Sequence, residues 1–262
     1  KGTSGDINNY GGYCHNATWV DYDNDGYLDL FVTDYMPTKF NKLYHNLGDG
    51  TFESITDQIV TSEAFTSIGS TWADYDNDGD LDAYVPNTGG QNNALYKNNG
   101  NGQFEKILTG AIVLDSGNSV GASWGDYNND GYLDLFVANT GGQSDFLYAN
   151  NQNGTFSKIT NSDITIQQNN SSGSSWIDLD NDGDLDLFVS ADLGSKSSLF
   201  VNDGLGNFSL AENTLTQVLG NSYPNAWGDY DNDGDMDAFV GNRNGELNQF
   251  FENDRGACNN WF

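Results

Sequence analysis

The feature that most constrains this chain is a phrase repeated five times: a tryptophan, a run of acids closed by a glycine, and a short apolar stretch. The first copy reads Trp19-Val20-Asp21-Tyr22-Asp23-Asn24-Asp25-Gly26-Tyr27-Leu28-Asp29-Leu30-Phe31-Val32, and the others start at Trp72, Trp124, Trp176 and Trp227. The tryptophans are spaced 53, 52, 52 and 51 residues apart. A period of that size belongs to stacked or circularly arranged units. Five such units occupy nearly all 262 residues, so a single repeat domain over 1–262 is expected.

Each unit reads as four short strands. The first is rich in small residues (Ser67 to Trp72, Ser119 to Trp124) and leads into the acidic loop. The second is apolar: Leu28 to Val32, Leu81 to Val85, Leu133 to Val137, Leu185 to Val189 and Met236 to Val240. These runs are continuous rather than alternating, as in strands buried on both faces. The third is centred on Leu43-Tyr44, Leu95-Tyr96, Leu147-Tyr148, Leu199-Phe200 and Phe250-Phe251. The fourth carries Phe52, Phe104, Phe156 or Phe208 after a Gly- and Asn-rich turn. Gly, at 32 residues, suits many tight turns. The expectation is an all-β propeller of five four-stranded blades. The fifth unit has no Gly-x-Phe strand, so either residues 259–262 or the N-terminal 1–13 would have to supply its fourth strand.

Counted from its first Asp, each loop carries side-chain oxygens at positions 1, 3, 5 and 9 and a Gly at 6. They are Asp21, Asp23, Asp25 and Asp29; Asp74, Asp76, Asp78 and Asp82; Asp126, Asn128, Asp130 and Asp134; Asp178, Asp180, Asp182 and Asp186; and Asp229, Asp231, Asp233 and Asp237. Carboxylates so crowded must protonate, splay or share a cation. Oxygen donors alone, in a flexible loop, favour calcium over magnesium, with its strict octahedron, and over zinc or copper, which take nitrogen and sulfur. Position 7 offers a backbone carbonyl, from Tyr27, Asp80, Tyr132, Asp184 and Asp235. An EF-hand would need Glu at position 12, where valine stands in all five loops (Val32, Val85, Val137, Val189, Val240). A single such loop would pass for a solvated turn; five in register do not. About five calcium ions are therefore expected, and loop three, with Asn128, is expected to bind most weakly.

The net charge is −29, from 38 acids and 9 bases, and half of those acids stand at positions 1, 3, 5 and 9 of the five loops. This argues against nucleic acid and anionic membrane partners, which call for clustered Lys and Arg. Aromatic residues at 13 % and the clustering of the acids argue against disorder. No apolar run approaches the length of a membrane span. No signal peptide precedes Lys1, which reads as a mature or trimmed terminus. Cys14 and Cys258 stand near opposite ends, where a closed ring would bring them together; a disulfide and two separate thiols both stay open. Sequons at Asn16, Asn153, Asn169, Asn170 and Asn207 lend slight support to secretion and glycosylation. The motif tryptophans, and the position-2 residues Tyr22, Tyr75, Tyr127, Leu179 and Tyr230, are expected to pack, Trp261 to anchor the terminus, and His45 to be an exposed strand residue. No nucleophile–base–acid set is evident.

The motif Trp-x-Asp-Tyr-Asp-Asn-Asp-Gly-x-Leu-Asp-Leu-Phe-Val resembles the FG-GAP/VCBS repeats of integrin α-subunit propellers and secreted bacterial surface proteins. The resemblance spans essentially the whole chain. It implies calcium in each loop and an extracellular adhesion or ligand-binding role. A non-enzymatic module that binds a protein or glycan is the leading expectation. A lectin-like or polysaccharide-processing module, or a structural subunit assembling through its termini, are the alternatives. The literal Phe-Gly and Gly-Ala-Pro signatures are absent, and family propellers often have seven blades, so a five-blade ring and a piece of a larger protein both stay open. The ending Cys258-Asn259-Asn260-Trp261-Phe262 is similar to the start of the segment that follows such propellers in some bacterial proteins.

Overall fold

The acidic loop is the pivot of each unit, because it reverses the chain between two strands that then pair. The computed structural model describes Ile7 and residues 11–212, 214–217 and 219–253. Among them the chain forms five small antiparallel sheets, the blades of a β-propeller, and two two-stranded ribbons, Gln91–Asn92 with Ser116–Gly117 and Ser195–Lys196 with Leu219–Gly220. Blade one is built from Cys14–Val20, Asp29–Asp34, Lys42–Asn46 and Phe52–Ile55, and blade two from Thr71–Ala73, Asp82–Val85, Ala94–Asn98 and Phe104–Lys106. Blade three uses Ser119–Gly125, Asp134–Asn139, Phe146–Asn150 and Phe156–Ile159, and blade four Ser171–Ile177, Asp186–Ala191, Ser198–Asn202 and Phe208–Ala211. Blade five has three described strands: Ser222–Gly228, Asp237–Asn242 and Gln249–Phe251. Residues 259–262, and 1–6 and 8–10 of the N-terminal 1–13, the two candidates for its fourth strand, lie outside the described residues, as do Trp261 and the Cys14–Cys258 pairing.

The backbone divides into two compact units. One holds residues 1–119 and 151–156, and the other holds 120–150 and 157–262. The first contains blades one and two. The second contains blades four and five with most of blade three.

The second strand of each blade is the buried one. All six residues of Asp134–Asn139 and of Asp186–Ala191 are buried. The strand begins one residue later than the apolar run suggests: the position-9 Asp opens it and lies buried, while Leu28 before it is 56 % exposed. First strands are small-residue strands because the next blade presses on them. A Cβ on Gly173 would sit 2.9 Å from the Tyr223 carbonyl, and one on Gly125 2.6 Å from the Trp176 ring. Hydroxyls meet across that contact, as in Thr18 with Ser70 at 2.9 Å and Ser123 with Ser174 at 2.7 Å.

The motif aromatics fill the space between successive blades. Trp72 meets Phe31 of blade one edge-on, Trp176 stacks on Tyr127 of blade three, and Trp227 meets Phe188 of blade four. Trp19 departs from this role; it is 56 % exposed and leans on Phe52 of its own blade. The sequence pattern gave no sign of the single helical turns that join one blade to the next: Ile59–Thr61, Ala111–Leu114, Asp163–Ile166 and Thr214–Gln217. Each of these turns sinks an aliphatic or two into the core, namely Val60, Ile112 with Val113, Ile164 and Leu215.

Candidate metal centres

The loops reproduce one local geometry. Asn at position 4 takes a left-handed backbone, with φ of 58° at Asn24, 59° at Asn77, 57° at Asn129, 59° at Asn181 and 65° at Asn232. Gly at position 6 does the same, with φ between 85° at Gly131 and 94° at Gly183. Asn tolerates this region and Gly enters it freely, so the loop can coil tightly. The position-1 Asp caps the coil from inside. Asp74 accepts the N–H of Asp78 at 2.9 Å and of Gly79 at 2.8 Å, and Asp21, Asp126 and Asp229 accept the matching pairs. Position 5 folds back on the N–H of position 7, as Asp25 does with Tyr27 at 2.8 Å.

These turns gather the acids. Ligand atoms of Asp21, Asp23 and Asp25 lie within 4.8 Å of one another, as do those of Asp74, Asp76 and Asp78, of Asp178, Asp180 and Asp182, and of Asp229, Asp231 and Asp237. In loop three Asn128 leaves fewer charges, and its amide oxygen accepts the Asp130 N–H at 3.0 Å.

The position-9 Asp has a second task that the spacing did not reveal. Its carboxylate clasps the third strand of its blade. One oxygen accepts the N–H of an Asn that ends or follows that strand: Asn46 to Asp29 at 2.7 Å, Asn98 to Asp82 at 2.7 Å, Asn150 to Asp134 at 2.8 Å, Asn202 to Asp186 at 2.8 Å and Asn253 to Asp237 at 2.8 Å. In four blades the other oxygen accepts the N–H at loop position 2, from Tyr22, Tyr75, Leu179 or Tyr230. The Asn side chain continues the clasp into the preceding blade. Asn98 Nδ2 donates to the Tyr22 carbonyl at 2.6 Å, Asn202 to Tyr127 at 2.7 Å and Asn253 to Leu179 at 3.2 Å. The signal was present in the sequence as an Asn two residues after the third-strand Tyr or Phe in every unit.

Where position 7 is an Asp, its carboxylate meets a neighbouring loop. Asn24 donates to Asp80 at 2.7 Å and Asn181 to Asp235 at 3.0 Å, and Asn129 reaches Asp184 in the same way. The Asp80 and Asp184 carboxylates sit over Gly100 and Gly204, where a Cβ would lie 2.7 and 2.3 Å from a carboxylate oxygen.

The donor set fits a hard cation. One buried carboxylate oxygen each of Asp23, Asp76 and Asp178, and Oδ2 of Asp134, accept no hydrogen bond. Leaving such an oxygen dry and unpaired is costly, and an ion within the coil supplies what it lacks. Burial raises the position-9 carboxyls, Asp82 and Asp134 to about 7 and Asp186 to about 6, even though backbone N–H donors pull them down.

Two side chains from the third strand complicate this picture. His45 is not an exposed strand residue: its ring faces loop one, with Nδ1 3.3 Å from Asp23 Oδ2 and 3.2 Å from Asp29 Oδ1. Its register on the third strand, one residue past the Leu30–Tyr44 pair, turns it toward the loop. Lys97 holds the same place in blade two and pairs with Asp76 and Asp78.

A family model for the FG-GAP-like repeat matches residues 21–85, 87–137, 126–189 and 178–240. The chain belongs to the FG-GAP-like repeat family. No curated protein sequence matches it. Among solved structures, the FG-GAP chain is similar to BBS1N in its complex with ARL6DN, at 10 % identity and a TM-score of 0.55, covering 96 % of this chain and 75 % of that one. It is also similar to the Vibrio cholerae biofilm matrix protein Bap1, at 19 % identity and a TM-score of 0.47 over 81 % of this chain. A third similarity is to an endo-arabinase from Bacteroides thetaiotaomicron, at 12 % identity and a TM-score of 0.48, covering 85 % of this chain and 87 % of that one. The FG-GAP chain spans 30 % of the length of Bap1. At 10 % identity the likeness to BBS1N speaks to fold alone. Among the described residues, no helix is long and apolar enough to cross a membrane.

Proposed function

We propose that this protein is an extracellular, non-enzymatic binding or adhesion module whose blades are stiffened by calcium. The observation that carries the reading is the set of buried carboxylate oxygens in coiled loops one, three and four that accept no hydrogen bond, at Asp23, Asp134 and Asp178. Positions 1, 3, 5 and 9 supply the ligands, with the position-7 carbonyl completing the shell. The role is structural: the ion locks the turn between the first and second strands, and a ligand that binds only the folded state stabilises it. Sites of the extracellular kind, with Kd on the order of 10⁻⁴ to 10⁻³ M, would be filled outside cells. A protein or glycan is the partner that such a rigid, anionic scaffold presents a surface to, and self-association through the termini is the alternative use.

Thermal melting with millimolar calcium against chelator tests the structural role. With calcium at tenfold over Kd, each filled site adds about 1.4 kcal/mol. Several sites together would raise the midpoint by about 10 °C. An unchanged midpoint removes calcium from the function. A glycan array and a polysaccharide turnover assay then separate the binding module from the enzyme.

A further inference from the structure

The five loops share ligands, but the third strand brings a different side chain to each. One residue past the strand pair Ala83–Tyr96 in blade two stands Lys97, and the matching residues are His45, Ala149, Val201 and Glu252. Lys97 is therefore the one of the five that carries a fixed positive charge. Its Nζ lies 3.0 Å from Asp78 Oδ2 and closer still to Asp76 Oδ2, both ion-pair contacts. Asp76 and Asp78 are the position-3 and position-5 carboxylates, through which the proposed ion would be held.

We infer that Lys97 is a built-in replacement for the cation in blade two, so that loop two folds on its own ammonium and does not take up calcium. The inference rests on the calcium reading of the other loops. A calcium ion would need those oxygens at about 2.3–2.6 Å. An ammonium hydrogen-bonded to the same two oxygens occupies that volume and repels a second cation, so the two are mutually exclusive. The tether also favours the lysine, because a group carried on a neighbouring strand competes at an effective concentration of about millimolar or more. Free calcium outside cells has no such advantage.

Formal charge alone ranks the loops differently. It makes loop three weakest, since Asn128 removes one carboxylate. It does not, however, place any group in that loop's centre, where blade three presents only Ala149. The two rankings predict different silent loops.

Calcium stoichiometry by isothermal titration calorimetry distinguishes them. The comparison uses the wild-type chain, Lys97→Met, which keeps the apolar stem, and Lys97→Ala, which places in blade two the residue of blade three. Each is combined with Asp74→Asn, a loop-two ligand that Lys97 does not touch. Melting curves check that each variant is folded. The expected result is a gain of one bound ion per chain in both lysine variants, its loss when Asp74→Asn is added, and no effect of Asp74→Asn alone. Equal stoichiometry in wild type and both lysine variants overturns the inference and leaves the calcium reading standing. A wild-type chain that loses one ion on Asp74→Asn overturns it as well. No calcium bound by any variant ends the calcium reading, and this inference with it.

Discussion

Ser171, at the start of blade four, donates its hydroxyl to the buried carboxylate of Asp145 in blade three at 2.7 Å. The same latch recurs with an amide in place of the acid: Asn41 Nδ2 donates to Ser67 at 3.2 Å, and Asn93 Nδ2 to Ser119 at 3.0 Å. In each case the side-chain oxygen also accepts the N–H of the residue that ends, or follows, the second strand, as Asn139 gives to Asp145 at 2.7 Å. One residue therefore holds its own blade and the next. Blade three does this with a charge in a buried place, and burial lifts the Asp145 carboxyl to about 7 against two hydrogen bonds that lower it.

Asp145→Asn restores the amide of the other latches and removes the buried charge. The folded carboxyl is raised above its unfolded value near 4, so the folded state holds the proton more tightly. This contribution to stability is full below pH of about 4 and is lost as pH rises through about 7. The variant should melt above wild type at pH 8, by the equivalent of roughly 2 kcal/mol, and the gap should close as pH falls to about 4. Melting of both proteins across that range checks it; a gap that is constant or widens in acid refutes the assignment.

Asn98→Ala removes donors to the Tyr22 and Leu81 carbonyls, one of them in the preceding blade. Buried carbonyls left without a donor cost about 1–3 kcal/mol. Asn46 has one such bond, to the exposed Leu28 carbonyl at 3.0 Å, so Asn46→Ala should cost about 1 kcal/mol or less. Denaturant titration of the two variants, with slopes compared, measures the difference.

Gly173→Ala forces a methyl to within 2.9 Å of the Tyr223 carbonyl and 3.1 Å of Ser190 Oγ. Backbone cannot step aside as a flexible side chain does, and overpacking of this sort costs about 1–3 kcal/mol. At Gly121 the nearest atom to the added methyl is 3.5 Å away, an ordinary contact, so Gly121→Ala should be close to neutral. The paired melting temperatures decide whether close approach between blades explains the small residues of the first strands.

Asn181→Ala tests the link between loops four and five. It deletes the bonds to Asp235 and to the Gly234 carbonyl and places alanine at φ 59°. A single left-handed non-glycine residue costs about 1–2 kcal/mol. Asn181→Gly relieves the backbone and still lacks the bonds, so any destabilisation it shows reports the link itself. Chemical denaturation of both variants separates the two contributions.

The repeat, the strand order and the acidic coil were legible because each depends on local rules: a fixed period, a glycine at position 6, continuous apolar strands. What escaped was set by register between strands. Whether His45 faces solvent or a loop follows from the pairing of Leu30 with Tyr44, and a one-residue slip would reverse it. The Asn98 clasp needed knowledge of which carbonyls of blade one lie beside blade two. Asp145 could not be told from any other surface acid, since its burial comes wholly from tertiary neighbours. The connecting turns such as Ala111–Leu114 are too short for a helical period to show.

The clasp made by the position-9 aspartates has a consequence for the order of events. Asp186 is held by the Asn202 and Leu179 N–H groups, so its orientation is fixed by polypeptide alone. On the proposed calcium reading, the rear wall of the site stands finished before any ion arrives. Emptying such a site would slacken the coil in front of that wall while the strands behind it stay registered, and refilling would be a local docking step that does not require the blade to be rebuilt.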